Sequence, residues 1–291
     1  MSSYLNIVNA YNVTPRKNKK IISFAIYGIT HFFSKDRGFY KGIFVNFDLA
    51  KKVYPGWIIR VYMPHTEPIE HINLLKQMTD IELFLVNTNL CLRAIRFLPN
   101  DDPSVDVWIS RDLDSIVTFR EKAAVDDWLN NYPNKELHIM ADSPGHIWTM
   151  AGGMFGKKNN MHSSNAFLNF MLNFSNNSPA NVYAVDCLIA EQFFYGSNNY
   201  IQHCSGGKKL ENSVPFPAHD MTNCTFVGDV ANIHNYYNVL DIQNKYITPM
   251  KLKAKAKAQS QQMMFKIKRL RQIKIQSNQQ NGCNFNLNFK N

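Results

Sequence analysis

No stretch of this sequence approaches the roughly 18 consecutive apolar residues that a membrane-spanning helix needs. Its cysteines form no framework either. The five (Cys91, Cys187, Cys204, Cys224 and Cys283) are widely scattered, with no CxxC pair. An odd count at such spacing excludes a disulfide scaffold and argues against structural zinc, which leaves free thiols. The segment from Met1 to Val8 lacks the basic stretch and apolar core of a secretory signal, so a cytoplasmic protein is expected. Acidic residues are missing altogether from 251–291, which holds ten Lys/Arg; the remainder balances at 22 basic against 22 acidic residues. The formal net charge of +10 therefore belongs to a tail, not to the body. A neutral body offers no basic groove, which argues against sequence-specific nucleic-acid recognition.

What is present describes a globular α/β domain. The chain has 291 residues, enough for a substantial core. Apolar runs at 21–27, 57–62, 81–86, 105–109 and 137–141 read as strands, the first ending at Tyr27-Gly28. Between them, 42–53, 65–78, 90–98 and 119–130 carry helical spacing, and 182–194 follows as a further helix. Strands alternating with helices predict a mostly parallel sheet. Residues 152–156, Gly-Gly-Met-Phe-Gly, fit no phosphate-loop pattern and read as a strand where backbone approaches a ligand closely. Residues 197–225 read as loop-rich. The predicted division is a single domain over 1–248 and a basic, low-complexity tail over 249–291.

The chemistry is concentrated in Arg111-Asp112-Leu113-Asp114-Ser115, at the end of the 105–109 strand. Ligands of α/β sheets bind at the carboxyl ends of strands, and both the Gly28 loop and this Asp pair fall there. Two carboxylates one residue apart suit a hard cation such as Mg²⁺ or Mn²⁺, which in turn grips a diphosphate. Asp pairs in strand-to-loop turns also serve as caps and Asx-turns.

An ordered set of phrases surrounds that pair. Tyr40-Lys41-Gly42, Asn46, Ala50 and Tyr54-Pro55-Gly56-Trp57 come first, with Arg60 and Tyr62. Arg96-Phe97-Leu98-Pro99, the Asp112/Asp114 pair, Arg120-Glu121, Ala124-Val125 and Trp128 follow. Then come His138-Ile139, Asp142, Pro144, His146, Gly152 to Gly156, Phe216-Pro217 and Phe226-Val227-Gly228. Over roughly residues 20–230 the chain resembles a DxD-containing glycosyltransferase group of the GT-A fold, found in bacteria and large DNA viruses. The resemblance implies transfer of a sugar from a UDP- or GDP-sugar donor to a glycan, lipid or protein acceptor. It implies a divalent cofactor, Mn²⁺ or Mg²⁺, held by Asp112, Asp114 and His203. It places Tyr27, Gly28, Arg96, Arg111, Asp112, Gly152 and Gly153 around the donor, with Arg93 a further guanidinium candidate. Asp142 and Asp186 become the candidates for contacting the sugars or deprotonating the acceptor. Two positions depart from the family: Asp186-Cys187 stands for Asp-Gln, and His203-Cys204-Ser205 for His-Asp-Ser.

Two other readings use the same features. A phosphatase or phosphotransferase of the haloacid-dehalogenase type also places DxD after a strand, though normally the first strand of the chain. A non-catalytic protein could use the tail alone, on nucleic acid or on a membrane. There Met263, Ile267 and Leu270 recur among basic residues, and 251–275 could lie on an anionic lipid surface. The abundance of Asn and Lys fits an AT-rich genome such as that of a large DNA virus, for which the compartment would be the host cytoplasm.

Overall fold

The computed structural model describes residues 5–27, 39–159, 165–177, 184–196, 199–218 and 226–229, all in a compact unit spanning Met1–Asn238. A second unit, Val239–Asn291, contains the basic tail and its candidate lipid-facing stripe, and lies outside the described residues.

Nine strands of the described residues form one sheet: β1 (Leu5–Tyr11), β2 (Lys19–Ala25), β3 (Ile58–Pro64), β4 (Ile81–Thr88), β5 (Val105–Arg111), β6 (Leu137–Ala141), β7 (Met154–Lys158), β8 (Tyr200–Cys204) and β9 (Ser213–Val214). Their order is β1-β4-β3-β2-β5-β7-β6-β8-β9. Strands β2, β3, β4 and β5 are mutually parallel where they pair, as are β6, β8 and β9. Only β1 at the edge and β7 between β5 and β6 run antiparallel. The fold is the expected α/β class with a mostly parallel sheet. The central strands explain themselves: Ile21, Ile22, Ser23 and Phe24 of β2 are all buried, and a parallel sheet covered on both faces demands such unbroken runs.

The helices are α1 (Phe39–Val53), α2 (Ile69–Lys76), α3 (Phe119–Asn131), α4 (Ala166–Asn177) and α5 (Val185–Phe194). Thr118 caps α3 by accepting from the Glu121 amide at 3.1 Å, a Thr-x-x-Glu start. Phe97 anchors the core, with ring centroids 5.0 Å from Phe155, 5.8 Å from Phe167 and 6.2 Å from Trp108. Near the amino ends of β2, β3 and β4, Glu82 pairs with Lys19 at 2.9 Å and Arg60 at 2.7 Å, all three buried. No helix of the described residues is long and apolar enough to cross a membrane.

Several expected elements differ. The 65–78 helix is confined to α2, because Pro68 at its cap holds extended backbone before it. Residues 90–98 do not form an α-helix; a 3₁₀ segment, Ala94–Asp101, replaces it and contains Pro99. The glycine-rich strand begins at Met154, leaving Gly152 and Gly153 in the turn before it. The first strand is β1, an exposed edge without a clean apolar run. β8 and β9 run through the stretch read as loop. Gln202 and His203 make β8 look polar in sequence, but both are fully buried with hydrogen-bond partners.

Candidate functional site

The chain passes from β2 outward to β3 and β4, then returns to the other side of β2 with β5. Strand order therefore reverses between β2 and β5, and the crevice beyond their carboxyl ends is where such sheets hold ligands. Tyr27 follows β2 there, and Asp112 follows β5. Gly28 lies outside the described residues.

α1 holds the Asp112–Asp114 turn in place. Asn46 donates to the Ser115 carbonyl and accepts from the Val117 amide, both at 2.9 Å. Gly42 lets the helix touch the turn: a Cβ there would lie 1.7 Å from the Leu113 carbonyl oxygen.

Arg96, reaching in from the 3₁₀ segment, is the hub. One end of its guanidinium meets Asp112 and the Arg111 carbonyl; the other meets Asp186, at the start of α5, at 2.7 Å. Burial would discharge this guanidinium, but Asp112 and Asp186 more than reverse that and keep it charged. Burial likewise pushes Asp112 upward, and Arg96 chiefly pulls it back below the usual carboxylate range. Tyr27 is buried, and its hydroxyl is driven well above its ordinary pKa, by burial first. Arg96 opposes that rise while Asp112, Asp186 and Asp114 add to it, which places all five groups in one electrostatic cluster. The Arg93 guanidinium lies 5.4 Å over the Tyr27 ring.

The two glycines form the floor. A Cβ on Gly152 would fall 2.2 Å from an Asp186 oxygen, and one on Gly153 would fall 2.1 Å from an Asp112 oxygen. Ser110 fixes the turn from below by donating to the Gly152 carbonyl at 2.6 Å. The Cys187 sulfur accepts from the Gly152 amide at 3.3 Å. Burial raises the Cys187 thiol to about 12, so it is a packing and hydrogen-bonding group, not a nucleophile. The structure thus brings together Tyr27, Arg96, Asp112, Asp114, Asp186, Gly152 and Gly153. Of the three acids, the Asp112 side chain is the open one, at 38% exposure against 10% for Asp186.

Three expected site residues sit elsewhere or are committed. Arg111 is buried; it pairs with Glu121 at 3.0 Å and donates to the Gly153 carbonyl at 2.8 Å. It supports the glycine floor rather than reaching a donor. Asp142 receives Arg120 through both oxygens at 2.7 Å and the Val227 amide at 2.9 Å. A carboxylate so occupied is not poised as a base; it pins the 226–229 segment.

His203 is corrected more fully. It is buried on β8 and both its ring nitrogens are engaged, Nε2 with Asp127 at 3.0 Å and Nδ1 with His138 at 2.8 Å. No lone pair remains for a metal. The Asp127 carboxylate accepts, so His203 donates from Nε2, and His138 donates from Nε2 to His203. Burial holds both imidazoles below their ordinary pKa, His138 the further because His203 and Lys158 add repulsion. Above about pH 6.5 both are neutral in either state, folded or unfolded. Below that pH the unfolded chain takes up protons that the fold refuses. Stability is therefore expected to fall as pH drops from 6.5 to 5.5, by up to about 1.4 kcal/mol per pH unit for each histidine. Denaturation melts at pH 7.5, 6.5 and 5.5 check this; a flat or rising series would contradict it.

His146 carried no assigned role in the sequence. Its Nδ1 accepts from the backbone amides of Asp142 at 3.0 Å and Ser143 at 3.2 Å.

No group of three His, Cys, Asp or Glu side chains among the described residues is placed to hold a metal. Magnesium, however, commonly takes one or two carboxylates and completes its shell from water and substrate phosphate. Asp112 and Asp114 match that smaller requirement. Three acids, Asp112, Asp114 and Asp186, share this cluster with Arg96, and Arg111 and Arg93 also act on Asp112.

No family model matches the chain, and no curated protein matches it. Solved structures do match. One is a glycosyltransferase involved in the glycosylation of the major capsid of PBCV-1: 14% identity, 64% of this chain and 82% of that chain covered, TM-score 0.38. Another is 4-diphosphocytidyl-2C-methyl-D-erythritol synthase from Anaerococcus prevotii: 11% identity, 67% and 90% covered, TM-score 0.38. Likeness this distant leaves the reading of the site to its own residues.

Proposed function

We propose that this chain is a metal-dependent glycosyltransferase of the GT-A type, using a nucleotide-diphosphate sugar. The observation that carries the reading is the acid cluster tied by Arg96 at the β2/β5 reversal, over a floor that only glycine can form. Two carboxylates one residue apart in this crevice suit a diphosphate that arrives with a cation. Asp114 and the more open Asp112 would hold that Mg²⁺ or Mn²⁺. The cation would neutralise the charge that builds on the diphosphate as the sugar departs. Arg96 keeps Asp112 and Asp186 at a fixed separation, so their carboxylates meet the donor without reorganising. Asp186, tied through one oxygen among the described residues, faces the sugar; its retention beside Cys187 alters the neighbouring contact, not the acid itself. The acceptor would be a glycan, a lipid or a protein. Asp112 as a phosphatase nucleophile fits poorly, because it follows the fifth strand and is ion-paired with Arg96.

Asp114→Ala is expected to abolish sugar transfer and donor hydrolysis while leaving the melting temperature within a few degrees of the wild type. EDTA should have the same effect on the unaltered protein. Full turnover in either case would remove the metal from the account.

A further inference from the structure

His146 is half-buried after the carboxyl end of β6, and its tautomer is set by the backbone. Two amides, Asp142 and Ser143, donate to Nδ1. That nitrogen must therefore carry the lone pair, and in the neutral ring the proton sits on Nε2. A ring in this state cannot ligate a metal through Nε2, but it presents a hydrogen-bond donor there. Nε2 makes no hydrogen bond among the described residues. The Phe226 ring packs edge-on, 5.7 Å away, and fixes the imidazole plane. Gly228, at φ +86°, passes close by; a Cβ there would lie 3.5 Å from Nε2 and 2.8 Å from the Met154 sulfur. Glycine is required here by the positive φ and by the Met154 sulfur, and its backbone borders Nε2 without a side chain in the way.

The ring also belongs electrically to the site. Burial lowers its pKa, while the Asp142 and Asp112 carboxylates raise it and Arg111 lowers it. Geometry ties it there as well: Gly228 borders both His146 Nε2 and the Met154 sulfur, and Met154 directly follows Gly153 of the floor and meets Arg111 at 3.2 Å.

We propose that His146 donates a hydrogen bond from Nε2–H to a phosphoryl oxygen of the bound nucleoside diphosphate. This rests on the nucleotide-sugar reading above. A half-buried donor with no acceptor among the described residues, one contact from the floor beneath Asp112, suits an acceptor supplied by the ligand. Charged phosphoryl oxygens are the strongest acceptors such a ligand carries. The contact holds the leaving group without contributing a metal ligand.

The variants separate the two ring nitrogens. His146→Asn keeps an acceptor near the Nδ1 position, and so retains the 142–146 turn, but removes the distal donor. His146→Gln restores an N–H near the Nε2 position. Titration of UDP and GDP in the presence of Mg²⁺ is expected to show about tenfold weaker binding for His146→Asn, with partial recovery in His146→Gln. The matching UDP- and GDP-sugars should lose the same factor. Nitrogen-15 NMR of the full chain should show the Nε2–H tautomer, with that signal moving when the nucleoside diphosphate is added. Unchanged diphosphate affinity in His146→Asn, with binding otherwise normal, would overturn the role of His146 and leave the enzyme reading standing. Weakening confined to the sugar-bearing ligands would overturn it too, assigning the contact to the sugar. Failure of the wild type to take any nucleoside diphosphate would overturn the reading beneath it and this role together.

Discussion

Arg96→Met is expected to lower the unfolding free energy by about 3–5 kcal/mol, the usual cost of removing one partner of a buried ion pair. The guanidinium is 2% exposed and bridges Asp112 and Asp186. Methionine fills much of the same volume but leaves Asp186 a desolvated carboxylate without its cation. Asp112, more exposed, can turn to water, so most of the loss belongs to Asp186. The double variant Arg96→Met, Asp186→Asn should recover a good part of it, because the unpaired charge is gone. Denaturant titrations of the wild type, both single variants and the double variant measure that coupling directly. A loss below about 0.5 kcal/mol in Arg96→Met, the range of ordinary surface substitutions, would show that the bridge contributes little to holding the site.

Gly153→Ala is expected to lower turnover by about 100-fold, the scale that a misplacement of about 1 Å at a reacting centre produces. The added Cβ would sit 2.1 Å from an Asp112 oxygen and 2.9 Å from the Asp112 backbone nitrogen. The carboxylate can swing aside only by leaving Arg96. The contact with the backbone nitrogen is relieved only by shifting the Asp112 turn, so either response breaks the register between Asp112 and Arg96. The stability cost should be smaller, about 1–3 kcal/mol for overpacking. Metal-supported nucleoside diphosphate binding should fall in parallel. An alanine variant with wild-type turnover would mean that the glycine floor has no part in the site.

Much of this was readable in the chain, and the exceptions share a cause. The strand-helix alternation and the position of the Asp pair after a strand follow from local apolar runs, so β2 to β6 and the Asp112 turn were legible. Asp112, Asp114, Asp186 and the two glycines were legible as a set only through the resemblance, since they are far apart in sequence. What sequence could not supply was which charges are already paired. Arg111 and Arg96 look alike as free guanidiniums, yet Glu121 takes the first, and Asp112 and Asp186 take the second. Asp142 reads as a sugar contact or a catalytic base until Arg120 is found on both its oxygens. His203 reads as a metal ligand until Asp127 and His138 are found on its ring. These pairings span from 10 residues (Arg111–Glu121) to 90 (Arg96–Asp186) and depend on how the elements pack, which no local pattern encodes. β8 was hidden for the same reason: its polar residues are satisfied by partners that only the fold supplies.

The central claim is most directly tested by incubating the full chain with a panel of nucleotide-sugars and Mn²⁺ or Mg²⁺, and measuring nucleoside diphosphate release. The predicted result is slow UDP or GDP release from one donor class, dependent on the metal and absent in Asp114→Ala. Inorganic phosphate release from simple esters, or no metal-dependent nucleoside diphosphate release from any donor, would contradict it.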